Sequence, residues 1–111
     1  MSSIKQERIA GIIKKNLSTI IQTELKDKNV GFVTITDVEV TNELSFATIY
    51  VTFFDKSTMR LEALKKAKGF LKSALSKTMD TYKVPDLIFK LDDSLEKGKR
   101  IDDILSDLDL D

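Results

Sequence analysis

The sequence of 111 residues contains no cysteine and no histidine. These absences exclude disulfides, thiol redox chemistry, serine–histidine and cysteine–histidine catalysis, and the zinc or haem sites that need such ligands. No apolar run approaches the ~20 residues of a membrane span, and the first residues have no apolar signal core. We therefore expect a cytoplasmic protein without a membrane partner or a cofactor.

The chain also has little proline and glycine, with one and four residues respectively. Hydrophobic residues make up 41% and charged residues 32%, which favours one folded domain over a disordered chain. Eighteen basic and eighteen acidic residues cancel, so net charge alone does not indicate a nucleic-acid partner.

The first half of the chain shows a helical pattern followed by two strand patterns. Apolar residues recur at steps of three and four over residues 3–25, which predicts an amphipathic helix. Residues 30–40 and 45–54 are rich in β-branched and aromatic side chains, which predicts an antiparallel hairpin. The alternation changes phase near Thr36 and Asp37, where we expect a β-bulge.

Helical spacing returns over residues 57–82, with Gly69 in its middle as a candidate kink or break into two helices. Pro85 ends this pattern, and residues 86–91 predict a third strand. A weak stripe over residues 101–108 predicts a tail helix. This order of elements predicts an α+β domain of two layers.

The zero net charge hides an asymmetry along the chain. Residues 56–83 hold eight basic and two acidic residues, which leaves +6, and residues 92–111 hold eight acidic and three basic residues, which leaves −5. We expect a folded domain over residues 1–92 and an acidic tail over residues 93–111. The basic helical element is the first candidate for contact with a polyanion.

Three lysines concentrate this positive charge around the candidate kink. On one continuous helix Lys65, Lys68 and Lys72 would lie within roughly 60° of one another. A glycine at a helix break exposes backbone N–H groups, and nearby lysines add mobile cations, so the pattern suits a phosphate chain. A solvated lysine face has the same pattern, and the residues alone leave both interpretations open.

Five segments, in this order and spacing, resemble the bacterial ribosome-binding factor A family. They are FVTITDVEV at 32–40, LSFATIYVTF at 44–53, LKKAKGFLK at 64–72, VPDLIF at 84–89 and DDS at 92–94. The resemblance implies a KH-like fold of type II, in which an Ala-x-Gly kink replaces the usual Gly-x-x-Gly loop. Ala67 and Gly69 fit that kink.

The resemblance further implies a non-enzymatic assembly factor. Such a factor binds the immature small ribosomal subunit and its 16S rRNA and assists late maturation, including 5′-end processing. We expect a monomer, with neighbouring ribosomal proteins as further partners. Lys72 stands where relatives often carry arginine, so the charge is kept but the planar fork is lost. The candidate RNA-binding residues are Lys65, Lys66, Lys68, Lys72, Lys77 and Arg8.

Two other functions are compatible with the sequence: protein binding without RNA contact, and metal-dependent catalysis. A KH-like module could bind protein without touching RNA. The paired acids Asp92-Asp93 and Asp102-Asp103 could hold magnesium, but adjacent residues on a strand or helix point apart. We therefore expect no metal site and no catalytic residues.

Two further hypotheses concern the sheet and the tail. Phe46, Tyr50 and Phe54 could stack on RNA bases if they face outward, although we expect the tail helix or the first helix to cover them. The tail acids Asp102, Asp103 and Asp107 could mimic RNA on the lysine patch, although docking of the apolar stripe on the domain is the preferred interpretation.

Overall fold

A computed structural model describes residues 4–79 and 83–92. The chain forms helix α1 (Ile4–Thr23), strands β1 (Val33–Val40) and β2 (Phe46–Phe53), helices α2 (Ser57–Lys66) and α3 (Lys68–Ser76), and strand β3 (Asp86–Leu91). This order confirms the predicted α+β fold. None of the helices in this part of the chain is both long and apolar enough to cross a bilayer. The predicted tail helix lies outside the described residues.

The sheet has the order β1-β2-β3, with β1 antiparallel and β3 parallel to the central strand. The pairing of β1 with β2 shifts by one residue between Ile35 and Asp37, which confirms the predicted bulge. The parallel pairing of β3 needs a crossover, and the two helices α2 and α3 supply it. The hairpin and the third strand are therefore confirmed.

All three helices pack on one face of the sheet. Helix α1 contacts β1 and α3. Its apolar side chains Ile9, Ile13 and Leu17 are buried there, each with 1% exposure or less. The side chains of Ala47, Ile49 and Val51 on β2 point into the same core and are fully buried. Helix α2 lies against β3. One hydrophobic core between the helices and the sheet holds the two layers together.

Candidate nucleic-acid interface

The elbow between α2 and α3 is centred on Ala67. This residue has φ −86° and ψ 4°, and it is both the C-cap of α2 and the N-cap of α3. Its N–H donates to the carbonyl oxygens of Ala63 at 3.3 Å and Leu64 at 3.0 Å, and its own carbonyl accepts from Leu71 N–H at 3.0 Å. The chain therefore turns at one residue without giving up these bonds. The predicted break is confirmed.

Of the two residues predicted for the kink, Ala67 is the bend itself and Gly69 lies just after it. Gly69 is the second residue of α3, so it lies inside the helix and not in the bend. A Cβ added there would meet nothing within 4 Å, so packing does not require a glycine. The bend uses the bridge conformation that Ala67 adopts, in which φ is negative, so no glycine is required. Gly69 instead leaves a patch of bare backbone on the surface beside Lys72.

A first groove lies between the elbow and the outer side of β3. It has a volume of about 310 Å³ and is lined by Lys65, Lys68, Leu87, Ile88, Phe89 and Lys90. Lys65 is exposed and makes a 3.5 Å ion pair with Glu62, one turn earlier on α2. An exposed pair of this kind contributes little to stability, so it leaves Lys65 available to a ligand. We name this surface the first groove.

Lys90 is a candidate residue that the sequence analysis missed. Alternation along β3 shows that it is exposed, but not that this strand lies at the sheet edge beside α2. The crossover brings it opposite Lys65 and Lys68. Three cations around an apolar floor then form a surface suited to a phosphate chain with attached bases.

A second groove lies on the other side of Gly69. It has a volume of about 600 Å³ and is lined by Gly69, Lys72, Ser73, Ser76, Lys83 and Val84. The hydroxyl of Ser76 donates to the carbonyl of Ser73 at 2.7 Å. Lys72 and Lys83 supply the positive charge of this surface, which we name the second groove.

Asp86 is the counterion of Lys72 at the border of the second groove, where the two side chains form an ion pair. The hydrogen bond from Lys72 lowers the pKa of the Asp86 carboxyl, and the charges of Lys72, Lys68 and Lys83 lower the same pKa further. A carboxylate at this point therefore sits in a positive field. A phosphate group would be attracted to the same place.

The structure divides the predicted RNA-binding residues among different surfaces. Lys65 and Lys68 line the first groove and Lys72 lines the second. The bend at Ala67 lies between Lys65 and the other two lysines, while Lys68 and Lys72 are four residues apart on α3 and point toward different grooves. Lys66 lies in a third depression with Asp27 and Glu62.

Two other predicted residues line neither of these grooves. Lys77 caps the end of α3, and Arg8 is exposed on α1. The predicted cation cluster is therefore two smaller surfaces that meet at the elbow, and Arg8, Lys66 and Lys77 stand apart from both.

Phe46 and Tyr50 of β2 alternate with its buried residues, so they lie on the sheet face opposite the helices, and Phe54 directly follows this strand. Phe46 is 46% exposed and Phe54 is 93% exposed, while Tyr50 is half-buried. The expectation that the first helix covers them is wrong, because α1 packs on the buried face of the same sheet. Cover by the predicted tail helix concerns residues outside the described part.

Carboxylates surround the hydroxyl group of Tyr50. This hydroxyl donates to Glu39 Oε1 at 3.0 Å, and this bond raises the pKa of Tyr50. Partial burial and the charges of Glu39, Asp37 and Asp92 raise the same pKa further. The aromatic face is thus acidic around its centre, unlike the two grooves.

Residues 4–79 and 83–92 contain no group of three acidic side chains that lie close enough together to hold a metal ion. Of the paired acids considered above, only Asp92 lies in this part of the chain. The exposed lysines of the two grooves can bind an anionic polymer by charge and hydrogen bonding.

Comparisons with known proteins all lead to one family. The family model of ribosome-binding factor A matches residues 5–105. The chain is 46% identical to ribosome-binding factor A of Macrococcus caseolyticus, over 98% of both chains. It is 43% identical to that of Staphylococcus carnosus, over 97% of this chain and 96% of the relative.

Solved structures extend the likeness to the fold. The crystal structure of ribosome-binding factor A from Thermus thermophilus matches with a TM-score of 0.72 at 26% identity, over 78% of this chain and 93% of the other. A homology model of the Thermus thermophilus factor, fitted into a cryo-EM map of a 30S–RbfA complex, matches with a TM-score of 0.66 at 26% identity, over 76% and 91%.

Proposed function

Because this chain belongs to the ribosome-binding factor A family, we propose that it binds the small ribosomal subunit as a non-enzymatic assembly factor. The relative fitted into a map of a 30S complex supports this role. At finer detail, the protein contacts 16S rRNA of the immature subunit and assists late maturation, including 5′-end processing. The proposal includes action in the cytoplasm, where ribosomal subunits are assembled, and action as a monomer.

The observation that carries the RNA contact is the pair of basic grooves that meet at the elbow. Lys65, Lys68 and Lys90 surround the first groove, and Lys72 and Lys83 line the second. An RNA strand laid over the elbow exchanges its counterions for these ammonium groups, which favours binding at low salt. Lysine acts as a point charge, so it positions the backbone without reading bases.

The elbow allows the RNA backbone to approach the protein backbone closely. Gly69 presents no side chain, and a Cβ there would meet open space, so its surface is accessible to a bulky ligand. The first turn of α3 carries no side-chain cap, and its positive dipole end points toward the same region. The lysines on both sides then hold the phosphates in place. Specificity comes from RNA shape and from the neighbouring ribosomal surface.

The first experiment compares two double variants that change the net charge equally. Lys65→Glu with Lys68→Glu reverses the first groove, while Lys26→Glu with Lys28→Glu reverses two exposed lysines in the loop after α1. Cosedimentation with purified small subunits is measured over a series of salt concentrations. The groove variant is expected to lose affinity, and its log–log salt slope falls by roughly 0.7 for each lost contact with a single-stranded phosphate.

Three results would contradict this assignment. Unchanged binding of the groove variant would remove the first groove from the interface. An equal loss in both variants would indicate a general effect of charge. Binding by the unmodified protein that does not depend on salt would favour the alternative of a protein-interaction module.

The role in maturation is tested in cells that express only the variant protein. The groove variant is expected to accumulate small-subunit RNA with an unprocessed 5′ end, measured by primer extension against the mature end. The loop variant serves as the control at equal expression level. Normal processing with lost subunit binding would separate the two parts of the proposal.

A further inference from the structure

A groove runs along the outer edge of β1, the edge of the sheet that lies away from β3. It has a volume of about 480 Å³ and is lined by Glu7 and Ala10 of α1 and by residues 37–40 of β1. We name this surface the edge groove. It shares no lining residue with the first or the second groove, so it is a separate surface.

The backbone of β1 is open to the edge groove at Val38 and Val40. The N–H of Thr41 donates to the carbonyl of Phe46, across the hairpin, at 3.0 Å. Because hydrogen bonding alternates along an antiparallel pair, the backbone groups of Val38 and Val40 point away from β2. The side chains of these two valines are buried, so it is their backbone that lines the groove.

Two of these four edge groups are bonded to neighbouring side chains. The N–H of Val38 donates to Asp37 Oδ1 at 2.9 Å, and the carbonyl of Val40 accepts from Gln6 Nε2 at 2.8 Å. The Val38 carbonyl and the Val40 N–H are left, in the described part of the chain, as an acceptor and a donor on either side of Glu39. One residue of an extended chain that runs parallel to β1 can bond to both groups.

The edge groove also carries carboxylates that no cation of the described residues neutralises. Glu7, Asp37 and Glu39 are exposed, and none of the ion pairs formed within residues 4–79 and 83–92 involves them. Neutral donors orient two of the three. Asp37 accepts from the N–H of Val38, and Glu39 Oε1 accepts from the hydroxyl of Tyr50 at 3.0 Å. Such carboxylates attract ammonium and guanidinium groups.

We infer that the edge groove binds an extended segment of a partner protein that is rich in arginine or lysine, and that this segment adds to the sheet beside β1. Asp37 and Glu39 lie on the same exposed face of the strand, about 7 Å apart. Alternate residues of an added strand have the same spacing and lie about 5 Å from the residues opposite them. Basic side chains at alternate positions therefore match the carboxylates while the backbone bonds to the edge.

Charge separates this occupant from the other candidates. An RNA strand would bring phosphates toward three carboxylates, and residues 4–79 and 83–92 contribute no cation to the lining of the groove. A second copy that paired through its own β1 would bring the same acids of both copies together, which is unfavourable. The inference does not rest on the proposed function, because the edge groove and the first groove lie at opposite edges of the sheet.

Titration of the isotope-labelled full-length chain with a synthetic peptide tests this site. The probe is a capped peptide in which arginine and threonine alternate, and its control has citrulline in place of every arginine. The arginine peptide is expected to shift the amide signals of Val38, Glu39 and Val40 and to leave those of α3 in place. The citrulline peptide has the same shape without the charge, so it should bind at least about threefold more weakly.

Backbone methylation of the same peptide tests the strand pairing. An arginine opposite Glu39 uses its own N–H to donate to the Val38 carbonyl, whereas the N–H groups of the threonines point away from β1. Methylation of the arginine backbone nitrogens is therefore expected to abolish the shifts. Methylation of the threonine nitrogens is the matched control and should preserve them.

Two double variants that remove equal charge test the carboxylates. Glu7→Gln with Glu39→Gln changes the edge groove, and Glu24→Gln with Glu62→Gln changes two exposed acids elsewhere. The groove variant is expected to bind the arginine peptide at least about threefold more weakly, because two exposed ion pairs are lost. The control variant should bind like the unmodified protein. Unaltered signals from α3 show that both variants remain folded.

Several results would overturn the inference. They are unchanged β1 signals with the arginine peptide, equal affinity for the citrulline peptide, equal effects of the two methylations, and equal losses in the two double variants. Signals of β1 that shift with single-stranded RNA and not with the peptide would assign the groove to RNA. Signals that shift with protein concentration alone would assign it to a second copy of the chain.

Discussion

The guanidinium group of Arg60 lies directly against the backbone of Gly31. A Cβ on residue 31 would lie 2.3 Å from Arg60 Nη1, and Gly31 has a φ of +62°. Arg60 Nη1 donates to the carbonyls of Asn29 at 3.2 Å and Lys28 at 3.4 Å, and Nε donates to Asp55. This contact ties the loop before β1 to the start of α2.

Substitution of Gly31 by alanine is expected to lower the free energy of unfolding by at least about 2 kcal/mol. The new Cβ both disfavours the left-handed backbone and displaces Arg60 from its acceptors. Chemical denaturation measures the change. Gly11→Ala is the control, since a Cβ there meets nothing within 4 Å, and it should raise stability by about 1 kcal/mol. A Gly31→Ala protein as stable as the unmodified one would contradict the contact.

Gln6 on α1 protects the outer edge of β1. Its side chain is buried, and Nε2 donates to the carbonyl of Val40 at 2.8 Å, while Lys14 Nζ donates to the carbonyl of Thr36 at 3.3 Å. Gln6→Leu is expected to lower the free energy of unfolding by about 1–3 kcal/mol, because it removes the donor to a buried acceptor. Thermal denaturation measures this, and Gln22→Leu on the exposed side of α1 should change little. Equal effects of both substitutions would argue against the edge role.

In the proposed function Lys72 contacts RNA, and Asp86 is its partner in the free protein. Asp86→Asn is therefore expected to increase affinity for single-stranded RNA. The substitution releases Lys72 from its ion pair and removes a negative charge beside the second groove. Binding to a labelled oligonucleotide at low and high salt measures the gain, which should shrink at high salt. Glu24→Gln at the end of α1 removes an equal charge elsewhere. A gain of the same size in that variant would show a general effect of net charge.

The same ion pair predicts the direction of one contribution to acid stability. Lys72 lowers the pKa of Asp86 in the folded protein below its ordinary value of 3.8. The contribution is therefore complete above that value and is lost as the pH falls through the lowered pKa. Unfolding curves of the unmodified and Asp86→Asn proteins should converge in acid, relative to their separation at neutral pH. Curves that diverge on acidification would contradict the lowered pKa.

Tyr50 is expected to ionise at a pH above its ordinary pKa of 10.0, because Glu39 accepts its proton in a hydrogen bond and repels the tyrosinate. Glu39→Gln should move this pKa downward. The stabilisation that comes from the raised pKa of Tyr50 is fully present below pH 10.0 and is lost as the pH rises through the pKa of the folded state. Tyrosinate absorbance measures the titration, and Tyr82→Phe isolates the Tyr50 signal. A titration unaffected by Glu39→Gln would contradict the coupling.

Local patterns were sufficient to predict most of the elements. The third strand begins and ends at the predicted residues, and the phase change near Thr36 and Asp37 identified the bulge. Helical spacing pointed to Gly69 as the break, and the family resemblance added Ala67, which is where the bend lies. Helix ends were placed less well, since hydrogen bonding decides where a periodic pattern stops.

The candidate site was predictable only in part. Lysines near the elbow were identified from charge density, but the bend sends Lys65 and Lys72 to separate grooves. Lys66 follows Lys65 in the chain yet lies in another depression, since neighbours on a helix are about 100° apart. Lys90 joins the first groove through the parallel crossover, a contact between distant residues that periodicity does not encode.

By itself, the sequence determined the type and order of the elements, the core side chains, the basic and acidic halves and the family resemblance. These properties depend on spacing and composition over short stretches, where backbone geometry sets the period. Tertiary structure alone decided which face of the sheet α1 covers, which lysines share a groove and which aromatic residues remain exposed on the opposite face. These features depend on strand order and on the direction of the chain at one residue, because packing joins segments that are far apart in sequence.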